Sequence, residues 1–160
     1  MTSASQRNAL FIEPSRDELV EIGRRHVAGM EVTDAAEVWI SSDMEFLLLH
    51  TIGRRSGQTR KAALPFWYDS AGCRVIVASL VGAPQHPAWY LNLTAADVNP
   101  KVLVRLRSGQ YWAEPQILEG VEYQQLWDEL TADREFYRDY QSRCARRIPL
   151  IRLPAVAEDS

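Results

Sequence analysis

The chain has 160 residues, 46% of them hydrophobic, five tryptophans and a formal net charge of −3. That length and apolar content suit one domain, 1–160, built around one core. The mild negative charge excludes a general nucleic-acid binder, because the cations present are local rather than global. Cys73 and Cys144 are isolated, with no C-x-x-C spacing, which suits free thiols in a reducing cytoplasm and leaves one disulfide open. His26, His50 and His86 have no zinc-ligand spacing, so no metal site is expected. The N-terminus is polar, without a signal-peptide core, and the longest apolar run, Phe46–Leu49, is far too short to span a bilayer.

In chain order, residues 1–12 read as a loose tail. Ser15 with Glu18 three positions on fits a capping box. Leu19, Ile22, Val27 and Met30 then recur at helical spacing, which predicts an amphipathic helix over 15–30. Two roles are open to it: packing against the domain or a partner subunit, as in a homodimer, or lying on a membrane surface as a peripheral contact. Residues 31–43 read as a connector, which makes 1–43 an N-terminal extension of a core over 44–154. Met44–Ile52 reads as a strand buried on both faces, with His50 as a hydrogen-bonded core or edge histidine.

Gly53–Lys61, the first of two boxes, reads as a cationic hairpin loop. Arg54, Arg55, Arg60 and Lys61 put four cations in eight residues with no acid between them. Gly53 and Gly57 let the backbone turn and approach a ligand, and Ser56 can add a hydroxyl donor. Arginine forks match phosphate oxygens in pairs, although a merely exposed basic hairpin tip reads the same way on charge alone. Lys61–Tyr68 is the expected return strand, Asp69, Ser70 and Gly72 a turn, and Arg74–Leu80 the next strand.

The second box is Ala78–Leu93. Gly82 and Pro84 break the preceding strand, and Pro87 reads as the first residue of a short helix, 87–94. Such a helix aims free N–H groups and a partial positive charge at the loop before it. Trp89 and Tyr90 place aromatic faces in its first turn and Asn92 adds an amide. A strand–loop–helix corner with Trp89 as a packing anchor is the plainer reading. Beyond it, Lys101–Arg107 and Gln110–Leu118 read as strands joined by Ser108–Gly109. Tyr123, Leu126, Trp127 and Leu130 mark a helix over 121–132, and Tyr137 and Tyr140 share one face of another over 134–145. Leu150–Leu153 reads as an edge strand. About six short strands with peripheral helices suggest a mainly β, α+β fold of small-barrel type.

Together the two boxes resemble the deazaflavin (F420)-dependent nitroreductase family of split β-barrel oxidoreductases, found in actinobacteria. The family pattern G-R-[KR]-S-G-x-x-R is met by Gly53, Arg54, Arg55, Ser56, Gly57 and Arg60. The pattern A-S-x-x-G-A-P-x-H-P-x-W-Y-x-N-L is met by Ala78, Ser79, Gly82, Ala83, Pro84, His86, Pro87, Trp89, Tyr90, Asn92 and Leu93. A looser Y-x-x-Y-Q followed by I-P is met by Tyr137, Tyr140, Gln141, Ile148 and Pro149, so the resemblance spans about 44–154.

The resemblance implies a small split β-barrel and coenzyme F420. The reduced cofactor would deliver hydride from C5 of its ring to an electron-poor small molecule such as a quinone, nitroaromatic or activated alkene. It also implies that Arg54, Arg55, Ser56 and Arg60 bind the phosphodiester and acidic glutamyl tail. Ser79, Gly82, Ala83, Pro84, Trp89 and Asn92 would line the phosphate and ring groove, with Ala78, Gly57, His86 and Pro87 in the same cofactor-binding boxes. Tyr137 and Tyr140 would form the catalytic, substrate-side wall, or equally be two packing aromatics. Two departures stand out. Leu80 occupies a position that is often Lys. Arg134 stands where some nitro-reducing members carry a third tyrosine, so a quinone or unsaturated metabolite is at least as well supported as a nitro compound. An FMN-dependent split-barrel enzyme, a non-catalytic F420 carrier and a protein-interaction domain are the alternatives.

Overall fold

The structure is a computed structural model that describes residues 15–157; the expected tail at 1–12 lies outside them. Strand β2, Met44–Ile52, spans the nine residues the pattern predicts. Leu47 and Leu49 point to one face and Leu48 to the other, as strand alternation requires, and all three are fully buried. Both faces of this strand therefore carry core.

β2 pairs antiparallel with three partners. The hairpin to β1, Ile40–Ser41, turns through Ser42 and Asp43, both at positive φ. On the other edge runs β3, Thr59–Pro65, in the register Leu48↔Ala63 and Ile52↔Thr59. β6, Val102–Leu106, pairs with 48–50 and continues the sheet to β7, Gly109–Ala113. The second antiparallel sheet has the order β4 (Trp67–Tyr68), β5 (Arg74–Val77), β9 (Leu150–Arg152), β8 (Gln116–Ile117). The fold is thus mixed α+β with two antiparallel sheets.

Three expected strands change here. The return strand ends at Pro65 and restarts after Phe66 in the other sheet. The run expected over 110–118 likewise divides between β7 and β8. β9 lies inside its sheet, between β5 and β8, and is not an edge.

Hydrophobic side chains between the sheets form the main core, among them Leu47, Leu49, Ile76, Val104, Ile151 and Leu153. Behind the second sheet pack α4, Gly120–Asp133, and α5, Phe136–Ser142, burying Leu126, Leu130, Tyr137 and Tyr140. In front of the first sheet lies α1, Arg16–Val32, capped by Ser15, whose Oγ accepts from the Glu18 N–H at 3.3 Å. Met30 of α1 packs on Leu48 with Trp39. Residues 31–43 are therefore not a plain connector. They hold the end of α1, the short helix α2 (Ala36–Trp39) and β1, and Trp39 donates its indole N–H to Thr33 O at 2.7 Å. Ile22, expected on the buried stripe, is 54% exposed; the inward stripe is Leu19, Gly23, Val27 and Met30.

One polar detail differs from expectation. His50 Nδ1 is buried with no hydrogen-bond partner among the described residues. Burial pushes the His50 imidazole below its ordinary pKa, with the Lys61 and Arg105 charges adding to the effect. Cys73 and Cys144 are both free thiols.

Candidate functional site

The loop between β2 and β3 is shaped by its glycines. The Gly53 N–H donates to Gln58 O at 2.8 Å and the Gly57 N–H to Gly53 O at 2.9 Å. Gly57 sits at φ +70. A Cβ on Gly53 would fall 2.5 Å from Ser56 Oγ, so a larger residue there would displace the serine hydroxyl from its place in the loop. Ser56 Oγ is partly spent inside the loop, accepting from the Gln58 N–H at 3.2 Å and from Arg60 Nη2 at 3.5 Å.

Asn92 joins this loop to the second box. It stands on α3, Ala88–Thr94, and is buried. Its Oδ1 accepts from the Arg54 N–H at 3.2 Å and from Arg54 Nη1 at 2.9 Å, and its Nδ2 donates to Thr51 Oγ1 at 3.4 Å. Buried Asn99 adds a second clasp. Its Nδ2 donates to Asn92 O and Ile52 O at 2.8 and 2.9 Å, and its Oδ1 accepts from the Ile52 N–H at 2.7 Å. The two boxes, 38 positions apart at Arg54 and Asn92, thus share one polar junction.

Between them opens a groove of about 750 Å³. Arg54, Arg55, Ser56, Arg60 and Lys61 line one side, and Leu80, His86, Pro87, Ala88, Trp89 and Asn92 the other. The far wall is the stripe Leu19, Gly23 and Val27 of α1, with Arg24 beside it. Among the described residues five cations line the groove and no carboxylate does. Lys61 is paired at 3.2 Å with Glu31; no described carboxylate pairs with Arg54, Arg55 or Arg60.

The second box departs from expectation in its middle. The strand stops at Val77, and Leu80–Gly82 forms a 3₁₀ turn in which Leu80, Val81 and Gly82 all have positive φ (44°, 49° and 80°). Left-handed backbone at two non-glycine residues, one of them β-branched, is strained. Pro87 is the cap of α3 rather than its first residue. With seven residues that helix carries little macrodipole, so the cationic side chains set the field in the groove.

Ala78 is buried in the core. A Cβ on Gly82 would lie 2.6 Å from Tyr140 O. The carbonyls of Ala78, Ser79 and Ala83 are all engaged by Arg146. Its Nη1, Nη2 and Nε donate to them at 3.0, 2.8 and 3.0 Å. Of the second box, therefore, His86, Pro87, Trp89 and Asn92 line the groove together with Leu80 and Ala88, whereas Ala78, Ser79, Gly82, Ala83 and Pro84 are not among its lining residues. Tyr137 and Tyr140 do not line the groove at all. They are 3% and 7% exposed and pack in the core behind the second sheet, with ring centroids 6.0 Å apart. Burial raises the Tyr137 pKa, which makes it a poorer acid still. Of the two readings open to this pair, their burial favours packing.

Four contributors went unread in the sequence. Arg146, Thr51 and Asn99 act through long-range hydrogen bonds that leave no spacing signal. The i, i+4, i+8 series Leu19, Gly23, Val27 could have revealed the α1 wall, had Gly23 been counted as part of the stripe.

A family model described as F420H(2)-dependent quinone reductase matches residues 22–154. The chain belongs to that family. Coenzyme F420 is accordingly its cofactor, and it is an oxidoreductase. The match begins inside α1, upstream of the expected limit at 44, in keeping with the helix forming a wall of the groove. An F420H(2)-dependent quinone reductase of Mycobacterium tuberculosis is 38% identical over 110 residues, 66% of this chain and 70% of that protein. A solved F420-H2 dependent reductase is 30% identical with a TM-score of 0.57, covering 68% of this chain and 93% of its own. Another solved chain, described as a domain-swapped dimer, is 27% identical with a TM-score of 0.60, covering 88% of this chain and all of the other.

The residues fit the cofactor. A groove of this volume suits a small-molecule site. Five cations without a carboxylate suit an acidic, phosphate-bearing tail, and Leu64, Leu80 and Trp89 supply the apolar contact a flat ring needs.

Proposed function

We propose that this groove binds F420 and that the protein is a quinone reductase, with activated alkenes and nitroaromatics as further acceptors of the same electronic type. The observation that carries the reading is the convergence of both boxes on one groove with five cations and no acid. Bound reduced F420 supplies the hydride. Arg55 and Arg60, unpaired by any described carboxylate, take the anionic tail together with Arg24, and Asn92 sets the direction of Arg54. Leu19, Val27, Leu64, Leu80 and Trp89 exclude water beside the ring. Tyr137 and Tyr140 serve as the packing beneath Gly82 and not as a proton source.

The two antiparallel sheets are read as the halves of a split β-barrel, and residues 15–157 as one unit with α1 built into it. A homodimer belongs to the same reading, supported by the relative described as a domain-swapped dimer. No described helix is long and apolar enough to cross a membrane. Leu19, Gly23 and Val27 face the groove, which favours packing over a membrane-surface role for α1, although Val20 and Ile22 stay exposed.

Parallel fluorescence titrations with F420 and FMN test this. Micromolar binding of F420 and none of FMN is expected; tight FMN binding and none of F420 would replace the reading with an FMN enzyme.

A further inference from the structure

Arg146 precedes β9 in a segment to which neither box belongs. Its guanidinium makes four contacts, all with the second box: the carbonyls of Ala78, Ser79 and Ala83, and His86 Nδ1 at 3.3 Å from Nη1. Its own main chain is braced from α5. Gln141 Nε2 donates to Arg146 O at 2.7 Å and Gln141 Oε1 accepts from the Ile148 N–H at 2.8 Å. The Tyr123 hydroxyl donates to Ile148 O at 2.6 Å.

Guanidinium has five donors, no acceptor, and does not deprotonate in proteins. Its contact with His86 Nδ1 is therefore possible only if that nitrogen offers a lone pair. The ring proton then resides on Nε2, and the imidazole is neutral. An imidazolium would set two donors against each other at 3.3 Å. The other charged groups on this groove, Arg24, Arg54, Arg55, Arg60 and Lys61, are all cations, and Tyr90 packs on the imidazole at 4.7 Å between centroids. Glu119 and Arg147 act on Tyr90 beyond it, and burial together with Arg146 lowers the His86 pKa.

We propose that Arg146 is a positioning residue of the cofactor groove: its fork holds the strained 78–83 turn and locks His86 as the Nε2–H tautomer, a neutral donor for an acceptor oxygen of the bound cofactor. This rests on the F420 reading above. It assigns the third sequence signature a purpose, because Gln141 and Ile148 hold the segment that carries the fork.

Two-bond proton–nitrogen NMR correlation on the full chain distinguishes the tautomers without any ligand. The expected wild-type result is Nε2–H at pH 7, with protonation only below the ordinary value of about 6.5. An Nδ1–H or doubly protonated His86 at pH 7 overturns the proposal. Arg146→Met should release His86 to a mixture of tautomers with a raised midpoint. Arg146→Lys keeps the charge but cannot fork across three carbonyls, so it should follow Met rather than wild type. A purely structural Arg146 would lower stability and leave the tautomer of the folded fraction unchanged. If both variants fail to fold, His86→Phe decides: it should weaken F420 binding about 2- to 15-fold, the worth of one hydrogen bond. His86→Asn should restore part of that loss. Equal F420 affinity in wild type and His86→Phe overturns the donor role. Absence of F420 binding by the wild type would instead remove the cofactor assignment, with the tautomer still deciding the role of Arg146.

Discussion

Asn92→Ala is the sharpest test of how the two boxes are joined. The substitution removes two acceptor contacts to Arg54, one of them charge-assisted, and a donor contact to Thr51. A charge-assisted hydrogen bond is worth about 1.5–3 kcal/mol and a neutral one about 0.5–1.5. Water can reach half-buried Arg54 in the variant and recover part of the sum, so a net loss of roughly 2–4 kcal/mol follows. For a protein of this size that lowers Tm by roughly 5–12 °C. Loosening Arg54 should also weaken F420 binding by about 10- to 100-fold, since about 1.4 kcal/mol is a decade. Asn92→Asp separates the two effects. A carboxylate still accepts from Arg54 and keeps most of the stability, but it neutralises a groove cation and should weaken F420 at least as much as alanine does. Calorimetry and fluorescence titration measure both. An Asn92→Ala protein with Tm within about 1 °C and F420 affinity within about twofold of wild type would refute the junction argued here.

Arg55→Ala combined with Arg60→Ala should weaken F420 binding by about 2–4 kcal/mol at low salt, and by less as salt screens these exposed charges; unchanged affinity at low salt would remove the tail assignment. Stability should fall on acidification. His50 and His86 both have folded pKa values lowered by burial, so the unfolded chain takes up protons first, and stability present above about 6.5 is lost as the pH drops toward the folded values. Urea unfolding between pH 5 and 8 measures the slope, and His50→Gln should flatten it. Tyr137→Phe and Tyr140→Phe should each leave kcat/KM for a quinone within about twofold, as expected of groups that do not touch the reacting atoms; a large loss of kcat with intact folding would return them to the site.

The parts of the fold that local chemistry dictates were readable: the nine residues of β2 from their apolar run, the Ser15 cap from its hydroxyl, the turn at Asp69–Gly72. The convergence of the boxes was readable too, because each carries residue types with one strong use. Changes of sheet were not. Phe66 and the stretch between Ala113 and Gln116 interrupt strands without breaking the β-rich pattern, and nothing local records which sheet a residue joins. Arg146 was unreadable for a related reason. It donates to main-chain carbonyls, which every residue has, so no side-chain partner betrays it. Tyr137 and Tyr140 stayed ambiguous because two aromatics on one helix face read alike whether they meet a ligand or a core.

The guanidinium fork spans 60 to 68 positions of chain to reach its four acceptors. Contacts of that separation form late, after loop closure has been paid for. On the ribosome, where the N-terminal part emerges first, both boxes are out and the larger sheet is complete before Arg146 appears. Until then the left-handed turn is held only by its own main-chain bonds, from Gly82 N–H to Ser79 O and from Ala83 N–H to Leu80 O. Ligand readiness is therefore among the last properties this molecule acquires as it is made, and a nascent chain stopped at residue 140, which also lacks the central strand β9, should be unable to take up F420.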